Sequence, residues 1–187
     1  RDVLGSRGLG DVYKRQGLIM KKILPIILCA AIVFSVSGCV SSGTQLTALS
    51  TDNVPKADSV KVKDYDDNLD GLEKYLKKRA FLPDMDGTEM SYGMIGAKAG
   101  HRYMFTFNNS QVTAEFYEYD LKNLNDEAKK TIESVKKDGK FELLGMTTEA
   151  TLSDNGKYLM VYTDNSGEEL NKTRKSDVLK AFKEYKK

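Results

Sequence analysis

Histidine occurs once in these 187 residues, cysteine twice and tryptophan not at all. Each scarcity excludes a kind of chemistry. A single histidine, His101, leaves carboxylates to supply most ligands of any transition-metal centre, and none is arranged for it. No Ser-His-Asp or Cys-His arrangement can be assembled without distant contacts. A lone histidine beside a turn is expected at a surface or strand end. Cys29 lies inside an apolar stretch, which leaves Cys39 as the one thiol of the remaining chain. No internal disulfide is then available, and an ordinary hydrophobic core must hold the fold. That apolar stretch, Ile23–Phe34, has 12 residues, short of the 18 or more that a membrane-spanning helix needs.

A strong charge excess is also missing. The whole chain carries a formal +2, but six Lys/Arg and two Asp/Glu precede Cys39. From Cys39 onward 23 basic and 25 acidic residues remain, a formal −2. No nucleic-acid footprint survives in that balance. Phosphate and calcium loops are absent as motifs. No Gly-Lys-Ser/Thr follows the glycines around Ala97-Lys98-Ala99. Asp84-Met85-Asp86-Gly87 and Asp64-Tyr65-Asp66-Asp67 resemble calcium loops only in part. Counting from Asp84, the twelfth position is Ile95 rather than the required glutamate. These aspartates read as loop and capping residues.

What is present begins at Met20. Lys21-Lys22 gives a short positive segment, Ile23–Phe34 an apolar core of signal-peptide length, and Ser37 and Gly38 two small residues before Cys39. Val36-Ser37-Gly38-Cys39 resembles a bacterial lipobox. The resemblance implies diacylglyceryl transfer to Cys39, cleavage before it, and a membrane anchor on the extracytoplasmic face. Residues 1–19 do not fit that signal. Arg1–Gln16 resembles translated adapter sequence and is expected to be a non-native extension. The expected organisation is an extension over 1–19, a signal peptide over 20–38, a flexible tether over 39–63 and one domain over 64–187.

Within the tether, Val60 and Val62 alternate with lysines and permit a short edge strand. Asp66 or Asp67 starts a helix with Leu69, Leu72, Tyr75 and Leu76 on one face. Arg102–Phe107 and Val112–Tyr119 predict a hairpin. Tyr103, Phe105 and Phe107 then share an apolar face with Val112, Ala114 and Phe116. Asn125 caps a second helix with Ala128, Ile132 and Val135 inward and Gly139 just past its end. Glu142–Leu144 permits a further strand. Thr148–Ser153 and Lys157–Thr163 predict a second hairpin on a type I′ turn at Asn155-Gly156, with Leu152 opposite Leu159 and Ala150 opposite Val161. A last helix runs from about Glu168 to Tyr185, with Val178, Ala181, Phe182 and Tyr185 inward. The expected class is α+β. A mainly antiparallel sheet of two hairpins carries about three helices, in the order helix-hairpin-helix-hairpin-helix.

Over residues 60–185 this pattern resembles small uncharacterised lipoproteins of Gram-positive anaerobes. The residues that carry the likeness are Asp70-Gly71-Leu72-Glu73-Lys74-Tyr75-Leu76, Met94-Ile95-Gly96-Ala97, Glu115-Phe116-Tyr117-Glu118-Tyr119-Asp120 and Leu152-Ser153-Asp154-Asn155-Gly156-Lys157-Tyr158. The likeness implies a location and no catalytic residues.

On the predicted facing, the second side of the sheet carries Met104, Thr113, Tyr117, Tyr119, Thr151, Tyr158, Met160 and Tyr162. Either a helix covers it as a second core layer, or it is exposed. If exposed, Tyr117, Tyr119, Tyr158 and Tyr162 are candidate partner contacts, since tyrosine and methionine are enriched where proteins bind one another. The function expected is a non-catalytic, lipid-anchored binding module of the bacterial cell envelope, without a cofactor. Its partners are the membrane, through Cys39, and an envelope protein or glycan. The alternative is a small secreted hydrolase using a carboxylate pair such as Glu115 and Glu149. A two-lobed solute-binding lipoprotein would need about twice this length.

Overall fold

The computed structural model describes residues 46–52 and 59–187. The extension, the signal segment, Cys39 and part of the tether lie outside the described residues. The class is α+β, with three helices and a mainly antiparallel sheet among the described residues. The helices are α1 (Leu69–Lys78), α2 (Asp126–Asp138) and α3 (Glu169–Lys183). Asn68, rather than an aspartate, caps α1 by accepting a 2.8 Å hydrogen bond from the Gly71 amide. Asn125 does the same for the Ala128 amide at the start of α2, and Gly139 ends that helix in the left-handed region at φ 66°. Both caps satisfy amides that the helix itself leaves without partners.

The main sheet contains β1 (Thr47–Leu49), β2 (Thr88–Glu89), β3 (Ala99–Phe107) and β4 (Ser110–Glu118). A separate two-stranded sheet is formed by β5 (Lys140–Leu143) and β6 (Met146–Glu149). The main sheet is completed by β7 (Thr151–Leu152) and β8 (Tyr158–Asp164). Its order is β1-β3-β4-β8-β7, with β2 also on β3. Asn108 and Asn109, both at positive φ, make the two-residue turn between β3 and β4, a combination asparagine tolerates better than most residues.

Two cores lie on opposite faces of this sheet. Tyr103, Phe105, Phe107, Val112, Ala114 and Phe116 share the first face, as expected. They pack with Leu72 and Leu76 of α1 and with Val178, Ala181, Phe182 and Tyr185 of the α3 segment. The second face packs against α2 through Ala128, Ile132 and Val135.

Several expectations need correction. The second hairpin is inverted relative to the first. β4 and β8 pair Phe116 with Met160 and Ala114 with Tyr162. Tyr158, Met160 and Tyr162 therefore join the first core, while Leu159 and Val161 face α2. Each turn sets the register inside its own hairpin, but nothing local sets the register between hairpins. A one-residue offset there flips every side chain. Ile132 of α2 accordingly lies in the second core, on the face opposite Phe116. Leu152 does pair with Leu159, but the turn is not type I′. Only Gly156 has positive φ, and the amides of Gly156 and Ser153 close a four-residue turn onto Ser153 and Tyr158. At Ala150 the strand leaves β8. Its earlier part, β6, pairs with β5 instead, a third hairpin where a single further strand was allowed for. The tether also contributes. Thr47–Leu49 pairs in parallel with β3, while Val62–Asp64 is a 3-10 turn rather than an edge strand.

Phe116 is fully buried, with its ring 6.1 Å from that of Tyr103 and 6.2 Å from that of Phe182. Replacing it by alanine deletes contacts to both β3 and α3. Phe116→Ala is expected to cost about 3–5 kcal/mol of unfolding free energy, measured by denaturant titration. A loss below about 1 kcal/mol would contradict this packing.

Candidate functional site

The four tyrosines singled out above do not form an exposed surface. Tyr117, Tyr119, Tyr158 and Tyr162 are all buried. They are split between the two cores, Tyr117 and Tyr119 with α2, and Tyr158 and Tyr162 with α1 and α3. The inter-hairpin register separates them, and helices on both faces cover them. Tyr158 donates a 2.7 Å hydrogen bond to Asp67 at the start of α1. The Tyr119 hydroxyl has no partner among the described residues. Burial pushes every one of these phenols up. For Tyr162 the value is about 12, with the Arg174 cation opposing the rise. Burial and then the neighbouring Glu115 charge raise Tyr117 further.

Helix α2 does not cover the whole second face. Beyond Tyr117 and Leu159, the pairs Arg102–Glu115, Met104–Thr113, Glu115–Val161 and Thr113–Thr163 continue that face. Arg102, Met104, Thr106, Thr113, Glu115 and Val161 are half-buried there. At its centre Glu115 is fully engaged. Arg102 donates to Oε1 through Nε at 2.8 Å and Nη2 at 2.7 Å, and the Tyr117 hydroxyl donates to Oε2 at 2.8 Å. A carboxylate held this way is a poor nucleophile or base, because its lone pairs already accept charge-assisted bonds.

Glu149, the proposed second carboxylate, is exposed on β6. It lines a cleft of about 280 Å³ between β6 and β8, together with Thr147, Thr148, Val161, Thr163, Asp164 and Lys175. No hydrogen bond or ion pair joins it to Glu115. Glu115 keeps its own oxygens on Arg102 and Tyr117.

Two buried carboxylates went unnoticed in the sequence. Glu73 accepts from His101 Nδ1 at 2.7 Å through Oε1 and from the Tyr103 hydroxyl at 2.8 Å through Oε2. The tautomer of His101 is assigned here as donor at Nδ1 because its partner is a carboxylate. His101 is the third residue of β3, paired with Glu89 of β2 and Phe116 of β4, so it is a partly exposed residue inside the sheet rather than at a strand end. Glu118 accepts the Leu69 amide at 2.9 Å and Lys98 Nζ at 3.0 Å, with Lys157 Nζ at 3.5 Å. It thereby caps α1 from outside the helix. A sequence signal existed for both. Glu73 falls between Leu72 and Leu76 on the apolar stripe of α1, and Glu118 alternates onto the face of Phe116.

A carboxylate-held imidazole can move a proton or offer one ligand. Among the described residues no group of three or more His, Cys, Asp or Glu could hold a metal ion. Nor is any described helix long and apolar enough to cross a membrane. No protein-family model, curated protein or solved structure matches the chain.

The buried phenols predict the response to alkali. Their folded-state values lie above the ordinary 10 of an unfolded tyrosine, so folding favours the neutral form. That stabilisation is complete below pH about 10 and is lost as pH rises through the raised values. Ultraviolet titration should show these four phenols silent until the domain unfolds, then ionising together. Smooth titration of all tyrosines at the ordinary value, with circular dichroism unchanged, would contradict the burial.

Proposed function

We propose that this protein is a lipid-anchored module on the extracytoplasmic face of a bacterial cell membrane, where it binds an envelope protein or glycan. The observation that carries the reading is the order Lys21-Lys22, Ile23–Phe34 and Val36-Ser37-Gly38-Cys39 ahead of a folded domain. The likeness of residues 60–185 to small bacterial lipoproteins points to the same location. A lipidated cysteine carrying two or more acyl chains anchors stably, where one chain would not.

The geometry supports binding better than hydrolysis. The open part of the second sheet face presents Met104, Thr106, Thr113 and Val161 around the neutralised Arg102–Glu115 pair. Such side chains lose little hydration energy when a partner covers them. A hydrolase would need Glu115 free, and Arg102 and Tyr117 hold both of its oxygens.

Expression in a bacterial host tests the anchor. The mature chain is expected to begin at lipidated Cys39 and to sediment with membranes, while Cys39→Ala accumulates as unlipidated precursor. Normal membrane-associated maturation of Cys39→Ala would overturn the reading. The same preparation tests the surface. Thr113→Arg should weaken recovery of a captured envelope component about tenfold, equivalent to about 1.4 kcal/mol, without altering the fold. Unchanged recovery would move the contact elsewhere.

A further inference from the structure

We infer that the tip of the β5–β6 hairpin inserts shallowly into the lipid bilayer that carries the anchor. The inference rests on the lipid-anchor reading above. Leu144 is 55% exposed, the most of any large apolar side chain among the described residues, and Met146 is 45% exposed. Leu144 also sits at φ 52°, followed by Gly145 at φ 80°, in a two-residue turn closed by Leu143 opposite Met146. Such a turn favours asparagine, aspartate or glycine at both positions. Leu144 therefore breaks two local rules at once. It strains the backbone, and it shows an apolar side chain to water.

The chemistry around the tip suits lipid. Leu143–Thr148 is a run of six uncharged residues, so insertion drags no charge out of water. Glu142 lies two residues below Leu144, about 7 Å of strand. That matches the roughly 5–10 Å depth at which interfacial elements sit. The base of the hairpin is fixed, because Phe141 is buried in the second core and Leu143 packs against it. The tip is thus a projection on a rigid mount.

The bilayer is also the apolar partner always within reach. Seven residues lie between Cys39 and Thr47, a chain of eight steps that spans at most about 29 Å. The nine residues of β3 span about 30 Å, so the anchored domain stays within roughly its own length of the lipid. Strand β1 pairs at the end of β3 next to its turn, and shared cleft lining puts the base of the tip hairpin near the same end. Leu49 pairs with Phe107 beside the Asn108-Asn109 turn. Asn165 lines one cleft with that turn and another with Thr147. A weak apolar contact is therefore amplified by effective concentration.

The absence of tryptophan makes a clean test available. The lipidated chain carrying Met146→Trp would be bound to phosphatidylcholine–phosphatidylglycerol vesicles. Its single-tryptophan emission should shift to shorter wavelength and be quenched several-fold by lipids brominated high on the acyl chain. Leu144→Trp serves as a second reporter where the first perturbs folding. Adding Leu144→Asn to the Met146→Trp chain should abolish quenching and leave the melting temperature unchanged or raised, because asparagine accepts positive φ. Water-like, unquenched emission from a chain that floats with the vesicles overturns the inference while the anchor stands. Quenching that survives Leu144→Asn overturns it as well. Failure to float removes the anchor reading and this inference together.

Discussion

The pairing of Phe116 with Met160 is the constraint on which the rest of the molecule depends. Side chains alternate along a strand, so this one pairing assigns every residue of β8 to a face. Tyr158, Met160 and Tyr162 go to α1 and α3, and Leu159 and Val161 go to α2. Strand β4 is then bonded along both edges, by β3 and β8, and its C-terminal end, Phe116–Glu118, is buried on both sides. A sheet covered on both faces needs apolar residues at successive positions, and Phe116-Tyr117 and Tyr158-Leu159-Met160 supply them. Each such side chain contributes about 1.5–3 kcal/mol when withdrawn from water. The three helices are needed because each covers surface that would otherwise be exposed.

Apolar burial alone does not say where α1 lies along the sheet, because the hydrophobic effect has no direction. Buried carboxylates do. Glu118 takes the first amide of α1, and Glu73 ties its middle to His101 and Tyr103. Lys157 reaches both Asp67 and Glu118, and the Tyr185 hydroxyl donates to the Asp66 carbonyl at 2.6 Å. Burial tends to raise the Asp67 carboxyl, but hydrogen bonds from Tyr158 and Lys157 outweigh it and hold the group below its ordinary value. A buried charge costs several kcal/mol when its partner is lost. Helix α1 is therefore fixed by groups whose misplacement is penalised, and α3 is drawn to the same corner through Tyr185.

This division explains what could be read from the sequence. Asn125, Gly139 and the stripe Ala128–Ile132–Val135 were legible because caps and helical period are local. The face of the first hairpin was legible for the same reason. The facing of the second hairpin was not, since it depends on the pairing of residues some forty positions apart in sequence. Asn155-Gly156 misled because Ser153 bonds to Asn155 and to the Tyr158 amide and draws the turn out to four residues. Thr47–Leu49 was hidden in a polar segment, because a three-residue edge strand carries no period. The tyrosine alternation was a real pattern, but it marked two buried layers and not one open surface. Glu73 could have been found as the polar residue inside an apolar stripe.

These placements also limit where function can reside. Glu73, Glu115 and Glu118 are all committed to holding the fold, with their oxygens occupied by named donors. Chemistry that needs a free carboxylate in a closed pocket has none of these three to use. The α1–α3 side is given over to packing and to the ties of α1. The α2 side differs. Its helix covers only part of the sheet, leaving the patch around Arg102–Glu115, and it supports the hairpin that lifts Leu144 clear of the core. A partner surface and a lipid contact both fit on that side without disturbing the corner where α1 is fixed. Substitutions in the patch or at the hairpin tip can therefore change contacts while the register of Phe116 and Met160 keeps the domain folded.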